Sequence, residues 1–158
     1  MHLTIGVLFS GTWDGVTGFN APLHYQQNAT GMAKEFTVQY ATEYWLEHGM
    51  DAKKIVLGLP LYGHSFHLDD ASNHAVGAKA TKPGDKGPMT EEAGMLGYNE
   101  YCKMLKSGQW TTQWSDQFSV PYAYKGNQWL SYDDKKSIDK KLDYLLQKKL
   151  GGAMVCTS

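Results

Sequence analysis

The chain has 158 residues, a length that suits one domain with a buried core. Lys plus Arg number 15 and Asp plus Glu 16, a net charge of -1, which excludes recruitment to nucleic acid or to an anionic membrane by bulk charge. Charged residues make up 20% of the chain, too few for a disordered, self-repelling polymer. The two cysteines, Cys102 and Cys156, form no CxxC and no short metal-ligand spacing, so neither a metal nor a cofactor is expected, and a bridge between them is not assignable from sequence. Five Trp and ten Tyr supply flat amphipathic rings. Most such rings pack cores, and the others stack on sugars or bases.

In chain order, the apolar run Leu3 to Phe9 predicts a strand covered on both faces, as in a parallel sheet. It is too short to span a bilayer and lacks the positive flank of a signal peptide. A long polar loop from Thr12 to about Lys34 follows, of a length usually reserved for function. Phe36 to His48 predicts a helix, with Val38, Ala41, Trp45 and His48 on one stripe, Phe36, Tyr40 and Tyr44 on another, and Gly49 as the stop. Ile55 to Gly63 reads as a second buried strand, completing a βαβ unit with parallel neighbours.

From about Ser65 to Tyr132, Gly and Pro punctuate short segments, and the stretch reads as an inserted α+β subdomain. Met95 to Lys106 predicts a short helix. Lys125-Gly126-Asn127 is the turn of a hairpin between Pro121–Tyr124 and Gln128–Tyr132. Asp133 to about Lys149 predicts a last helix with Ile138, Leu142, Leu145 and Leu146 on one face. Gly151 to Val155 begins another buried strand.

Four blocks then become recognisable. Gly11-Thr12-Trp13-Asp14-Gly15-Val16-Thr17-Gly18 with Asn20-Ala21-Pro22-Leu23 resembles the loop after the sixth strand of glycoside hydrolase family 18 chitinases. Gly58 to Phe66 resembles the end of their seventh strand, Val120 to Trp129 the close of the subdomain inserted after it, and Gly151 to Val155 the start of their eighth strand. The resemblance implies an α/β fold, a partial TIM (β/α)8 barrel (the last three strands) with an inserted α+β subdomain. Residues 1–64 and 133–158 would then be barrel and 65–132 the chitinase insertion subdomain. A closed barrel takes about 250 residues, so about five strands would be wanting.

The family's acid is the Glu of an Asp-x-x-Asp-x-Asp-x-Glu motif, and no such pattern occurs in this chain. Its substrate-assisted mechanism is an exception to the two-carboxylate scheme of most glycosidases. The family's Met-x-Tyr-Asp element falls here on Ile5, Gly6, Val7 and Leu8, and its eighth-strand Trp falls on Cys156. No catalytic residue is therefore expected, and Glu91, Glu92, Asp116 and Asp133 show no spacing that sets a proton donor beside a nucleophile.

Five positions match family residues that contact saccharide. Trp13 would either face sugar or cover the barrel top. Tyr62 would either line the cleft or hold its hydroxyl on backbone, and His64 would either face the cleft or be structural. Glu92 would hydrogen-bond sugar hydroxyls or serve as a helix N-terminal carboxylate, and Met95 would give a soft apolar contact. Cys102 matches a family cysteine whose partner lies past the eighth strand, leaving it free or paired with Cys156. The expected partner is chitin or chito-oligosaccharides, with no nucleic acid and no membrane. Self-association through exposed barrel edges and, by resemblance, an extracellular setting are also expected. The alternatives are a non-enzymatic chitinase-like lectin and an inert truncated form.

Overall fold

In the computed structural model, residues 3–5, 10–26 and 28–157 are described. The first strand, β1, is Leu3–Ile5. The remainder of the apolar run, with the Gly6, Val7 and Leu8 positions of the family element, lies outside the described residues. The polar loop holds a single 3-10 turn at Thr12–Asp14 and a short helix α1, Met32–Glu35. Helix α2, Val38–Glu47, is capped by the Thr37 side chain, which accepts from the Tyr40 N–H at 3.2 Å. Its buried face carries Val38 and Thr42. Ala41 and Leu46 pack against the same core, while Tyr44 and Trp45, one from each expected stripe, stay exposed.

The expected strand from Ile55 to Gly63 is two strands. β2, Ile55–Pro60, lies between β1 and the last strand in a three-stranded parallel sheet. β3, Tyr62–His67, belongs to a different sheet. The break at Leu61 reflects a change of hydrogen-bonding partners, which hydrophobicity alone does not mark.

β3 is the spine of a six-stranded antiparallel sheet with β4 (Lys82–Pro83), β5 (Met95–Gly97), β6 (Thr111–Ser115), β7 (Val120–Lys125) and β8 (Gln128–Ser131). The hairpin is observed as expected, with Lys125 paired to Gln128 across Gly126-Asn127. The expected helix from Met95 is corrected: Met95–Gly97 pairs with β3, and helix α3 runs Tyr98–Lys106. One sheet face, with Phe66, Trp129 and Val120, packs on Phe19, Leu68, Ala78 and Ala80. The other, with Leu96, Ala123 and Leu130, packs on Tyr101 of α3.

Helix α4, Lys135–Gln147, starts from a reciprocal cap in which Asp134 and Ser137 satisfy each other's N–H groups at 2.8 and 2.9 Å. Its inward face is Ser137, Lys141, Tyr144 and Leu145. Leu146 is 70% exposed, which corrects its expected place on the core face; one position on, the 3.6-residue period carries a side chain round to solvent. The last strand, β9 (Gly152–Cys156), pairs in parallel with β2. Ile55, Leu57 and Leu59 of β2 join Val38 of α2 and Tyr144 and Leu145 of α4 in one core. A buried ion pair closes the junction between the two sheets. Lys141 Nζ lies 2.6 Å from Asp133 Oδ1, Ser137 Oγ donates to the same oxygen, and Tyr101 Oη donates to the Asp133 carbonyl at 2.9 Å. Burial pulls the Lys141 ammonium down from its ordinary range, and Asp133 opposes that shift. Among the described residues no helix is long and apolar enough to cross a membrane.

Candidate functional site

The site forms at one end of the β3 face. Residues directly opposite on antiparallel strands point to the same side, and the register sets Met95 and Ser131 opposite His64. Tyr62, two residues from His64, shares that face. Its ring lies 6.0 Å from the imidazole, and the Trp13 ring meets the same imidazole edge-on at 5.8 Å and 81°. Trp13 reaches there from the Thr12–Asp14 turn, which Asp14 braces by accepting from Ser10 Oγ at 2.7 Å and from the Gly11 N–H at 3.2 Å. A Cβ on residue 11 would lie 2.3 Å from the Trp13 ring. Glycine there lets the indole fold back over its own chain.

Trp13 is 63% exposed and His64 only 4%. The indole therefore offers a free apolar face while the imidazole forms part of the floor. Burial lowers the His64 pKa, keeping the ring neutral, and its Nε2 has no partner. Tyr62 is also buried, and burial first, then the nearby Cys156 thiol, pushes its phenol up. Met95 and Cys156 pack against Tyr62 and Ala21. A residue that sequence reasoning missed ties the parts together. Asn20, 1% exposed, donates its backbone N–H to Ser131 Oγ at 2.8 Å and its amide to the Tyr62 carbonyl at 3.3 Å. Its Oδ1 is left unpartnered. The orphaned His64 Nε2 next to an exposed indole suits a ligand that mixes apolar faces with hydrogen-bonding groups.

Four of the five expected residues, Trp13, Tyr62, His64 and Met95, thus come together. Glu92 does not join them. It is exposed and lines a separate cavity of about 560 Å³ with Met89, Tyr98 and Asn99. Nor is it a helix N-terminal carboxylate, because the helix starts six residues later and is capped by Glu100. That cap was overlooked because its N-cap residue is Gly97 rather than the Ser or Thr of the usual signature. Cys102, half-buried on α3, packs against the core on the opposite sheet face from Cys156, and both thiols are free. The alternative in which they pair is corrected accordingly.

A family model for glycosyl hydrolases family 18 matches residues 5–157. The chain belongs to this family. Human chitinase-3-like protein 2 is 46% identical over 149 residues, spanning 93% of this chain and 37% of that relative. Mouse chitotriosidase-1 is 44% identical over 147 residues, spanning 93% of this chain and 31% of its own length. Among solved structures, human YKL-39, a pseudo-chitinase with retained chitooligosaccharide binding properties, superimposes with a TM-score of 0.91 at 41% identity, covering 98% of this chain and 42% of that one. This family 18 chain therefore spans well under half the length of the relatives it matches. Within that span the family blocks around Trp13, Tyr62, His64 and Met95 converge on one surface.

Proposed function

We propose that this chain carries part of a saccharide cleft, binds N-acetylglucosamine oligomers, and does not hydrolyse them. The observation that supports this most is the row Met95–His64–Ser131 with Tyr62 beside it and Trp13 above. An exposed indole gives a sugar ring an apolar face to stack on, and the polar atoms below give it donors and acceptors. A neutral His64 supplies one ring N–H and one acceptor, according to tautomer.

The carboxylates support binding without turnover. Asp14 is engaged in bracing its own turn, Glu92 lines the neighbouring cavity, and the family's acidic motif is absent from the sequence. Protonating a leaving oxygen takes a donor within hydrogen-bond reach of it. The reading extends to architecture. The parallel sheet is the part of an α/β barrel that carries its last three strands, the antiparallel sheet is the inserted subdomain, and the setting is extracellular like that inferred from family resemblance.

Titration with chitotetraose, read by tryptophan fluorescence, is expected to show saturable quenching that Trp13→Ala abolishes, with no release of chromophore from a chromogenic chito-oligosaccharide. Chromophore release that Glu92→Gln abolishes would overturn the second half of the reading. Absence of saturable quenching would overturn the first. A non-enzymatic lectin is the alternative role for the same site. It is favoured by the likeness to YKL-39, which retains oligosaccharide binding as a pseudo-chitinase.

A further inference from the structure

The cavity around Glu92 is walled by a loop whose own backbone bonds, Glu91 N–H to the Gly87 carbonyl at 3.2 Å and Met95 N–H to the Glu92 carbonyl at 3.4 Å, are long. Its volume of about 560 Å³ falls within the roughly 300–1,000 Å³ of small-molecule sites. Met89, Thr90 and Glu92 form one wall, Gly97, Tyr98 and Asn99 at the start of α3 form another, and Leu61 and Thr157 complete the lining. Glu91, between two wall residues, has φ +53, a left-handed conformation that costs a non-glycine residue energy and persists only where surroundings enforce it.

Besides that Glu91–Gly87 bond, Glu100 holds the residues on the N-terminal side of Glu91. It is 2% exposed and appears in no ion pair among the described residues. Its carboxylate accepts from the Met89 N–H at 2.6 Å, the Thr90 N–H at 2.9 Å, the Gly97 N–H at 2.9 Å and the Thr90 hydroxyl. Burial by itself would raise this carboxyl. The hydroxyl and N–H donors outweigh burial and hold it at about 2. Capping α3 requires only the bond to Gly97. The bonds to Met89 and Thr90 do something else: they clamp the wall loop to the helix. Gly87, at the base of that loop, has room for no more than a hydrogen, because a Cβ there would lie 2.3 Å from Glu100 Oε1.

The cavity also adjoins the site already described. Gly97 is the register partner of Tyr62, Met95 is that of His64, and Leu61, next to Tyr62, lines the cavity, so the two share β5 and the start of β3. We propose that Glu100 is a positioning residue for saccharide: by fixing the Met89–Glu92 wall it shapes an outlying subsite, engaged by longer N-acetylglucosamine oligomers and not by a disaccharide held at Trp13 and Tyr62. This rests on the saccharide-binding reading above.

The test is calorimetric titration of the whole chain and of Glu100→Gln with chitobiose and with chitotetraose. Glu100→Gln replaces one acceptor oxygen by an NH2 that meets donors head-on. It is expected to weaken chitotetraose binding roughly tenfold, the scale of one or two lost hydrogen bonds, and to leave chitobiose within about twofold. Equal loss for both sugars would reduce Glu100 to a general structural role and overturn the inference, as would unchanged chitotetraose affinity. Should Glu100→Gln fail to fold, Gly87→Ala, which displaces the carboxylate without removing it, is expected to give the same split between sugars, and its absence overturns the proposal. Binding of neither sugar by the unaltered chain would instead bring down the functional reading itself, and this inference with it.

Discussion

The two sheets solve the burial problem differently. The antiparallel sheet is covered on both faces by its own chain, so Trp129, Phe66, Leu130 and Ala123 are all fully buried. The parallel sheet has β1 and β9 as its edges, and on β9 Met154 is 41% and Val155 58% exposed. Hairpin-connected strands find partners nearby in sequence. Parallel strands depend on distant crossovers and on both faces being covered. One region is thus nearly self-sufficient, borrowing only Phe19 of the loop before α1 for the core on one face, whereas the other relies on α2 and α4 and keeps an apolar strand at its rim.

Four measurements sharpen or break this contrast. The largest effect is expected from Trp129→Ala in the antiparallel sheet. This ring lies against Phe19, Phe66 and Tyr122, and its truncation is expected to cost about 3–5 kcal/mol in urea unfolding. A loss under about 1 kcal/mol would show that this sheet does not carry the stability. Next is Lys141→Met at the junction. Removing one partner strands Asp133 as a buried charge, at an expected cost of about 3 kcal/mol. Loss of near-ultraviolet signal from both sheets together would confirm that the ion pair couples them.

The third effect is set by pH. Glu100 sits at about 2 against an ordinary 4.5, so the folded state binds its proton less readily than the unfolded one. The resulting stability is complete above pH 4.5 and is lost as the pH falls toward 2. Melting temperatures of the parent and Glu100→Gln chains are expected to converge over that interval, and parallel curves would contradict it. The smallest effect is Val155→Asp. An exposed position is expected to change stability by no more than about 0.5 kcal/mol, yet a charge on an edge strand opposes strand-to-strand pairing. Sedimentation velocity is expected to show less self-association than in the parent, and an unchanged distribution would remove β9 as the edge responsible.

Much was legible in the sequence. Period and punctuation located α2, the β7–β8 turn, α4 and β9, because these features depend on neighbours within a few residues. Trp13, Tyr62, His64 and Met95 were expected together from their family positions, and the fold does bring them together. The break at Leu61 was not visible, since Leu59 and Tyr62 are both apolar and the change lies in which strand each one pairs with. Asn20 and Glu100 also escaped. Asn20 matters through partners far along the chain, the Ser131 hydroxyl 111 residues away and the Tyr62 carbonyl 42 away, and Glu100 through N–H groups of the loop before its own helix, whose path the residue pattern does not mark.

By itself, then, the sequence determined family membership, the order of most elements and four side chains that the fold gathers in the candidate site, all set by local pattern or by blocks of adjacent residues. Only the tertiary structure decided that Glu92 lines its own cavity, that Cys102 and Cys156 lie on opposite sheet faces, and that Glu100 clamps a strained loop. Those outcomes depend on strand register and on the hydrogen bonding of buried polar groups. Neither register nor buried hydrogen bonding leaves a periodic trace in the order of residues, whether the partners lie 10 residues apart, as for Glu100 and Thr90, or 111, as for Asn20 and Ser131.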